Sequence, residues 1–353
     1  MTVRAPSPSA RADLLRLGHN ERTVPLPAEA VGAALATVDP MVLTMVPDLT
    51  SLTGRLAEFV HGDPDRILVT PGADAAAAWT FAALVGPGDE VVMPDPSYHR
   101  YAEMSDLVGA VPRRIAPVAG GRGAGDFAAA IGPRTRLVVV VNPDSPTGDV
   151  LDASQLADVL YAAREVGATV VVDEVYHGFG APTAIGVPGL DDLVVLRSFS
   201  KAWGLAGIRV GFLVAPPDVV AAVARHRTRH PVSALSAHVI EHFLDRPDIV
   251  DDYVAEMHAA VPLLVDGLAN LGCRVHPTGA SWVIVDLPPT VDRDDVTASL
   301  RACGVEVSAG LPSPWERSIR LTVGTRPQVE ALLPLWAEVV AEPAAGPVPG
   351  VGW

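Results

Sequence analysis

Between residues 67 and 214, short apolar runs alternate with polar and turn-forming stretches. The runs are Ile67-Leu68-Val69-Thr70, Glu90-Val91-Val92-Met93-Pro94, Leu137 to Val141, Val170-Val171-Val172, Leu193-Val194-Val195-Leu196 and Val210 to Val214. Each is too short for a helix and apolar at nearly every position, which predicts a buried strand. An alanine-rich stretch from Ala75 predicts a helix after the first of them. The elements therefore read as an α/β protein. From about Asp245 the pattern changes to an amphipathic helix and short alternating strands, which predicts a smaller C-terminal domain. The two ends, residues 1–16 and 342–353, carry Pro, Ser, Ala and Gly without periodicity and predict a disordered N-terminus and a flexible tail.

A chain of 353 residues exceeds the usual size of a single core, in agreement with two domains. The formal charge of −15 excludes a nucleic-acid or anionic-membrane surface, because polyphosphate binding needs a concentrated positive field. Cys273 and Cys303 show no CxxC or Cys/His ligand spacing, and read as free thiols of a cytoplasmic protein with no metal site. No stretch has the length and apolarity of a signal peptide or membrane span.

The candidate chemistry lies just past the ends of the predicted strands, where α/β proteins place their sites. After Leu196 comes Ser198-Phe199-Ser200-Lys201-Ala202-Trp203-Gly204-Leu205-Ala206-Gly207-Ile208-Arg209. Lysine forms Schiff bases with carbonyl compounds, and hydroxyls with a guanidinium suit phosphate oxygens. A lone lysine after a strand is an ordinary solvated side chain; the whole string has the parts for holding an aldehyde and a phosphate. Pro71-Gly72-Ala73-Asp74 can form a tight turn into a helix whose first N–H groups attract anions. Tyr98 can cover a flat ring, while Tyr101 reads as packing. Asp173, ending a buried strand, can pair with a ring nitrogen or cap a helix. Arg320, in Arg-Leu-Thr-Val-Gly, presents a fork that matches a carboxylate. The basic run Arg225-His226-Arg227-Thr228-Arg229-His230 stands out in so acidic a chain. It reads as a solvated helix end or as a contact for a distal polar or anionic group. Gly-rich residues 119–125 lack the strand and helix that frame a nucleotide loop, and predict a flexible surface loop.

These phrases, in this order over roughly residues 17–340, closely resemble the class I and II pyridoxal-phosphate (PLP) enzymes of the aspartate aminotransferase type, and most of all histidinol-phosphate aminotransferases. The resemblance implies the PLP-dependent transferase fold type I. That fold has a large domain with a mostly parallel sheet of the seven-stranded type and a smaller α+β domain built from both chain ends. On that basis residues 17–40 form an arm joining the small domain, 41–244 the large PLP-binding domain and 245–341 the small one. It also implies a homodimer with shared active sites and pyridoxal 5'-phosphate as cofactor.

Residue by residue, the resemblance implies Lys201 as the aldimine lysine and Gly72, Ala73, Asp74, Ser198, Ser200 and Arg209 around the cofactor phosphate. It puts Tyr98 over the ring, Asp173 at the pyridine nitrogen, and Tyr176 and Ser145 at the phenolic oxygen. Arg320 takes the substrate α-carboxylate, with Asn20, His19 and Arg229 as further substrate contacts. The chain departs from the family at Arg22-Thr23 for Asn-Pro, at Val46 for tyrosine, at Ser145 for asparagine and at Ser308 for an arginine that binds substrate phosphate. The implied function is an aminotransferase acting on an amino-acid amine and a keto acid, with histidinol phosphate disfavoured by Ser308. The alternatives are a decarboxylase, oxygen-dependent oxidase or eliminase on the same scaffold. A PLP-binding regulator is a third, for which no DNA-binding module precedes residue 17.

Overall fold

The computed structural model describes residues 14–118 and 120–341. Most of the expected disordered N-terminus and the whole tail from 342 lie outside the described residues. The chain divides into two compact units, one of residues up to Pro25 with those from Asp252 onward, the other of Leu26–Asp251. In chain order the strands are β1 (Leu15–Arg16), β2 (Ile67–Thr70), β3 (Glu90–Pro94), β4 (Val111–Ile115), β5 (Thr135–Val141) and β6 (Thr169–Asp173). They continue with β7 (Val194–Ser198), β8 (Gly211–Val214), β9 (Arg274–Pro277), β10 (Trp282–Asp286), β11 (Val305–Glu306) and β12 (Ser318–Thr322).

The unit Leu26–Asp251 is built on a seven-stranded sheet in the order β2-β8-β7-β6-β5-β3-β4. The pairings β3–β4, β3–β5, β5–β6 and β6–β7 are parallel, and β8 runs antiparallel to both its neighbours. The six apolar runs between residues 67 and 214 all fall on strands of this sheet, and β4 is the one strand of it without such a run. Val138, Val139, Val140, Val170, Val172, Val194 and Leu196 lie fully buried, as strands covered on both faces must be. Ala76, Ala77 and Phe81 of the helix Ala73–Leu84 share one core with Tyr101, Met104, Leu137, Val139 and Val171. Burying a side chain such as Phe81 contributes roughly 1.5–3 kcal/mol. The helix Ala153–Arg164 starts on a reciprocal cap, Asp152 accepting from the Gln155 N–H and Gln155 accepting from the Asp152 N–H, an arrangement that stabilises a helix start by about 1 kcal/mol.

This topology brings functional residues to one edge. The C-terminal ends of β2, β3, β5, β6 and β7 point the same way, and because β8 is reversed, its beginning lies beside them. Gly211, the first residue of β8, pairs with both Thr70 and Ser198.

The other unit holds an antiparallel sheet, β12-β10-β9, and a parallel pair β1–β11. Leu15 and Arg16, expected within the disordered N-terminus, are thus a strand: Leu15 is buried and pairs with Val305. Trp282 and Trp336 are fully buried in this unit. The division falls at Pro25 and Asp251, beside the expected limits at 40 and 244; the helix Ala28–Ala36 packs with Ala234–Leu244 and so belongs with the large sheet's unit. Both cysteines are buried free thiols. Among the described residues no helix is long and apolar enough to cross a membrane, and no group of His, Cys, Asp or Glu could hold a metal ion.

Candidate active site

At the strand-end edge of the large sheet lies a cavity of about 160 Å³ lined by Ala73, Asp74, Tyr98, Val141, Ser145, Asp173, Val175, Tyr176, Ser198, Ser200, Lys201 and Arg209. Of the residues expected around a cofactor, only Gly72 is missing from this wall, and it immediately precedes Ala73. They arrive from several strands: Asp173 ends β6, Ser198 ends β7, Ser145 and Tyr98 follow β5 and β3, and Ala73 and Asp74 follow β2. Lys201 is in addition the only lysine in the chain, every other permanently cationic side chain being an arginine. Its Nζ lies 5.6 Å from the centre of the Tyr176 ring.

Asp173 is buried and tightly held. Its Oδ2 accepts from the Tyr101 hydroxyl at 2.5 Å and its Oδ1 from the Val175 N–H at 3.0 Å. Burial raises its pKa from the ordinary value near 3.8 to about 6, against the pull of these two hydrogen bonds. A carboxyl in this state lacks a cation, and one facing the cavity would restore the anion. Tyr101, expected as packing, is buried as packing residues are, but its hydroxyl also orients the carboxylate; desolvation and the adjacent Asp173 push that phenol well above its ordinary value. No local pattern marks this partner, because 72 residues separate the two. The next residue, Glu174, belongs to a different buried group, pairing with Arg197 of β7 at 2.9 Å and accepting from Thr183 and the Ala184 N–H.

Gly72 and Gly211 let backbone and guanidinium crowd together. Gly72 has φ +91°, and a Cβ there would meet Arg209 Nη2 at 2.9 Å. At Gly211 a Cβ would lie 2.7 Å from the Arg197 carbonyl oxygen and 2.8 Å from Ala73 N. Arg209 itself adopts the left-handed region at φ 57°, a conformation that costs a non-glycine residue about 1–2 kcal/mol. Its Nη1 donates to Ser200 Oγ at 3.3 Å and to the Ala206 carbonyl at 3.2 Å. Tyr98 donates to Asp74 Oδ1 at 3.0 Å, and burial with that neighbour raises its phenol.

The sequence matches the family model of aminotransferase class I and II over residues 12–334. The chain belongs to this family. Relatives of this class I and II aminotransferase include the histidinol-phosphate aminotransferase of Moorella thermoacetica, 28% identical over 93% of this chain and 86% of that protein. The aromatic amino acid aminotransferase of Cutibacterium acnes is 30% identical over 86% of this chain and 90% of that protein. The fold matches the histidinol-phosphate aminotransferase of Sinorhizobium meliloti, solved in complex with pyridoxal-5'-phosphate, with a TM-score of 0.82 at 21% identity over 97% of this chain and 95% of that one.

The aminotransferase is a PLP-dependent enzyme, and its cavity fits that cofactor. It offers an amine, an acid that lacks a cation, a tyrosine ring, and a glycine-lined helix start beside two serines and an arginine, as an aldehyde, a pyridinium and a phosphate require.

The remaining expected residues lie elsewhere. Arg320 belongs to β12 in the unit of both chain ends, where Nη2 donates to the Gly18 carbonyl at 3.0 Å. Asn20, buried there with φ 52°, exchanges hydrogen bonds with Thr322 Oγ1. His19 is exposed and lies 3.5 Å from Glu306. Ser308 forms a backbone bridge with Arg320. Arg227, Arg229 and His230 of the exposed basic run line a separate open groove with Pro47, Asp48 and Thr50.

Proposed function

We propose that this aminotransferase transfers an amino group from an amino acid to a keto acid, with Lys201 as the covalent and proton-moving residue. The observation that carries this is the placement of the chain's single lysine in the cavity that Asp173, Tyr98, Ser145, Tyr176 and Arg209 share. When bound, pyridoxal 5'-phosphate supplies an aldehyde for the amine and a protonated ring that delocalises negative charge from Cα.

Around it, Ser198, Ser200, Arg209 and the N–H groups of Ala73 and Asp74 would hold the phosphate. Asp173, oriented by Tyr101, would keep the ring nitrogen protonated, and Tyr98 would pack against the ring. Tyr176 and Ser145 would donate to the phenolic oxygen, Ser145 through one hydroxyl where an amide could donate twice. With the cofactor bound and its imine passed to the substrate amine, Lys201 Nζ would be free to take the proton from Cα as a general base and to return it as an acid. Arg320 takes the substrate α-carboxylate as a bidentate partner.

The substrate in this reading is an amino acid rather than histidinol phosphate, because Ser308 stands where the phosphate-binding arginine is expected. The single-turnover test mixes holoenzyme with a panel of amino acids and histidinol phosphate, without keto acid. Conversion of the cofactor to its amine form with release of a keto acid supports transamination and names the donor. Carbon dioxide release or oxygen uptake with the cofactor unchanged would overturn it in favour of another PLP reaction.

Arg320→Ala should raise the amino acid KM by about 100-fold, the loss expected for a charged bidentate pair, while cofactor absorbance stays at wild-type intensity. An unchanged KM moves the carboxylate clamp elsewhere.

The working form in this reading is a homodimer. Met41, Leu43, Met45 and Val46 are 55–65% exposed in a single chain, an apolar patch that a second copy would cover. A monomeric mass by sedimentation at micromolar concentration would remove that part.

A further inference from the structure

Arg122 lies in the Gly-rich stretch whose sequence predicts a flexible surface loop, yet its side chain is only 1% exposed. All parts of the guanidinium are engaged. Nη1 donates to Asp144 Oδ2 at 2.9 Å and to Asp149 Oδ2 at 3.1 Å, Nη2 to the Pro96 carbonyl at 3.1 Å, and Nε to the Ile115 carbonyl at 3.1 Å. Asp144 in turn accepts from the Ser97 hydroxyl and from the Ser145 backbone N–H. Pro96 and Ser97 immediately precede Tyr98, and Asp144 immediately precedes Ser145, so one buried ion pair anchors both loops that carry cavity residues.

We infer that Arg122 is a positioning residue that sets where Tyr98 and Ser145 stand in the cofactor cavity, acting through Asp144. The inference rests on the reading of that cavity as the pyridoxal-phosphate site. Asp144 is fully desolvated, and burial raises it to about 7 despite Ser97 and Arg122. The carboxylate therefore depends on its guanidinium partner, and loss of Arg122 releases both loops together rather than one.

The experiment measures pyridoxal-phosphate binding to the apoprotein by absorbance titration, and the circular dichroism that the protein induces in the bound cofactor. Arg122→Met should raise the dissociation constant by roughly 10–100-fold, the range for residues that orient a site's direct contacts, and should strongly reduce the induced signal. Ser97→Ala, which leaves the buried ion pair in place, should raise it about threefold, as for one hydrogen bond. If both act through Asp144, the double variant should bind no worse than Arg122→Met alone, whereas independent effects multiply. Should Arg122→Met fail to fold through its orphaned carboxylate, Arg122→Met with Asp144→Asn removes that charge and should show the same weakening.

Wild-type affinity and induced signal in folded Arg122 variants, or multiplicative effects with Ser97→Ala, would overturn the inference. Failure of the wild-type apoprotein to bind pyridoxal phosphate at Lys201 would instead overturn the reading of the cavity.

Discussion

Lys201→Ala and Lys201→Arg should each lower turnover at least about 10⁴-fold, the upper range for removing a positioned acid–base group, while pyridoxal phosphate still binds through the remaining contacts. The two variants fail for different reasons. Alanine has no amine. Arginine keeps the charge, but its guanidinium stays protonated and can neither form the imine nor accept the Cα proton. The chain lends itself to this test because Lys201 is its only lysine, so covalent cofactor has no other side-chain amine to occupy. Borohydride reduction of wild-type holoenzyme should attach one cofactor per chain, in the peptide containing Lys201. Both variants should give none. An adduct on the N-terminal amine, or turnover retained in Lys201→Arg, would sink the assignment.

Asp173→Asn should lower turnover by about 10³-fold, the loss typical of removing a preorganised charge partner, and should at the same time stabilise the apoprotein at alkaline pH. The sign follows from burial, which raises Asp173 from about 3.8 to about 6 in the folded protein. A raised carboxyl favours its protonated form on folding. The apoprotein therefore loses stability as pH climbs from about 4 through about 6, and above that the loss reaches about 3 kcal/mol. Asparagine does not titrate, and its amide can accept from the Val175 N–H and donate to the Tyr101 oxygen in the same place. The variant apoprotein should equal wild type below about pH 4 and exceed it at pH 8, by denaturant titration at each pH. In the holoenzyme the protonated ring supplies the missing cation, so the advantage should shrink or reverse. A variant apoprotein no more stable than wild type at pH 8 would place Asp173 in a more polar site than its burial shows.

Much of this molecule is legible from local patterns. The apolar runs at 67–70, 90–94, 137–141, 170–172, 193–196 and 210–214 are legible because a strand buried on both faces reads as a nearly continuous apolar run. The candidate chemistry was legible because it sits just after those runs, at strand ends. The small-unit strand Leu15–Arg16 was not, since two residues carry no period and their pairing partners, Val305 and Glu306, lie far away in the sequence.

Tyr101 and Arg122 show the limit most clearly. Each looks like an unremarkable residue in its own neighbourhood, one a packing aromatic and the other a charge among glycines. Tyr101 reaches Asp173 because β3 and β6 flank β5 in the sheet. Arg122 reaches Pro96 and Asp144 because the parallel strands deliver those loops to the same edge. Arg209, likewise, comes to face Gly72 only because β8 is reversed. By itself the sequence determined the residue types, the apolar core strands of the large sheet and the order of the motifs, since these depend on chain-local chemistry and period. Which hydroxyl orients the carboxylate, which arginine ties two loops together and which glycines let Arg209 and the neighbouring backbone come close were decided only by the tertiary structure, because burial and hydrogen-bond partnership between distant segments arise from strand order and packing.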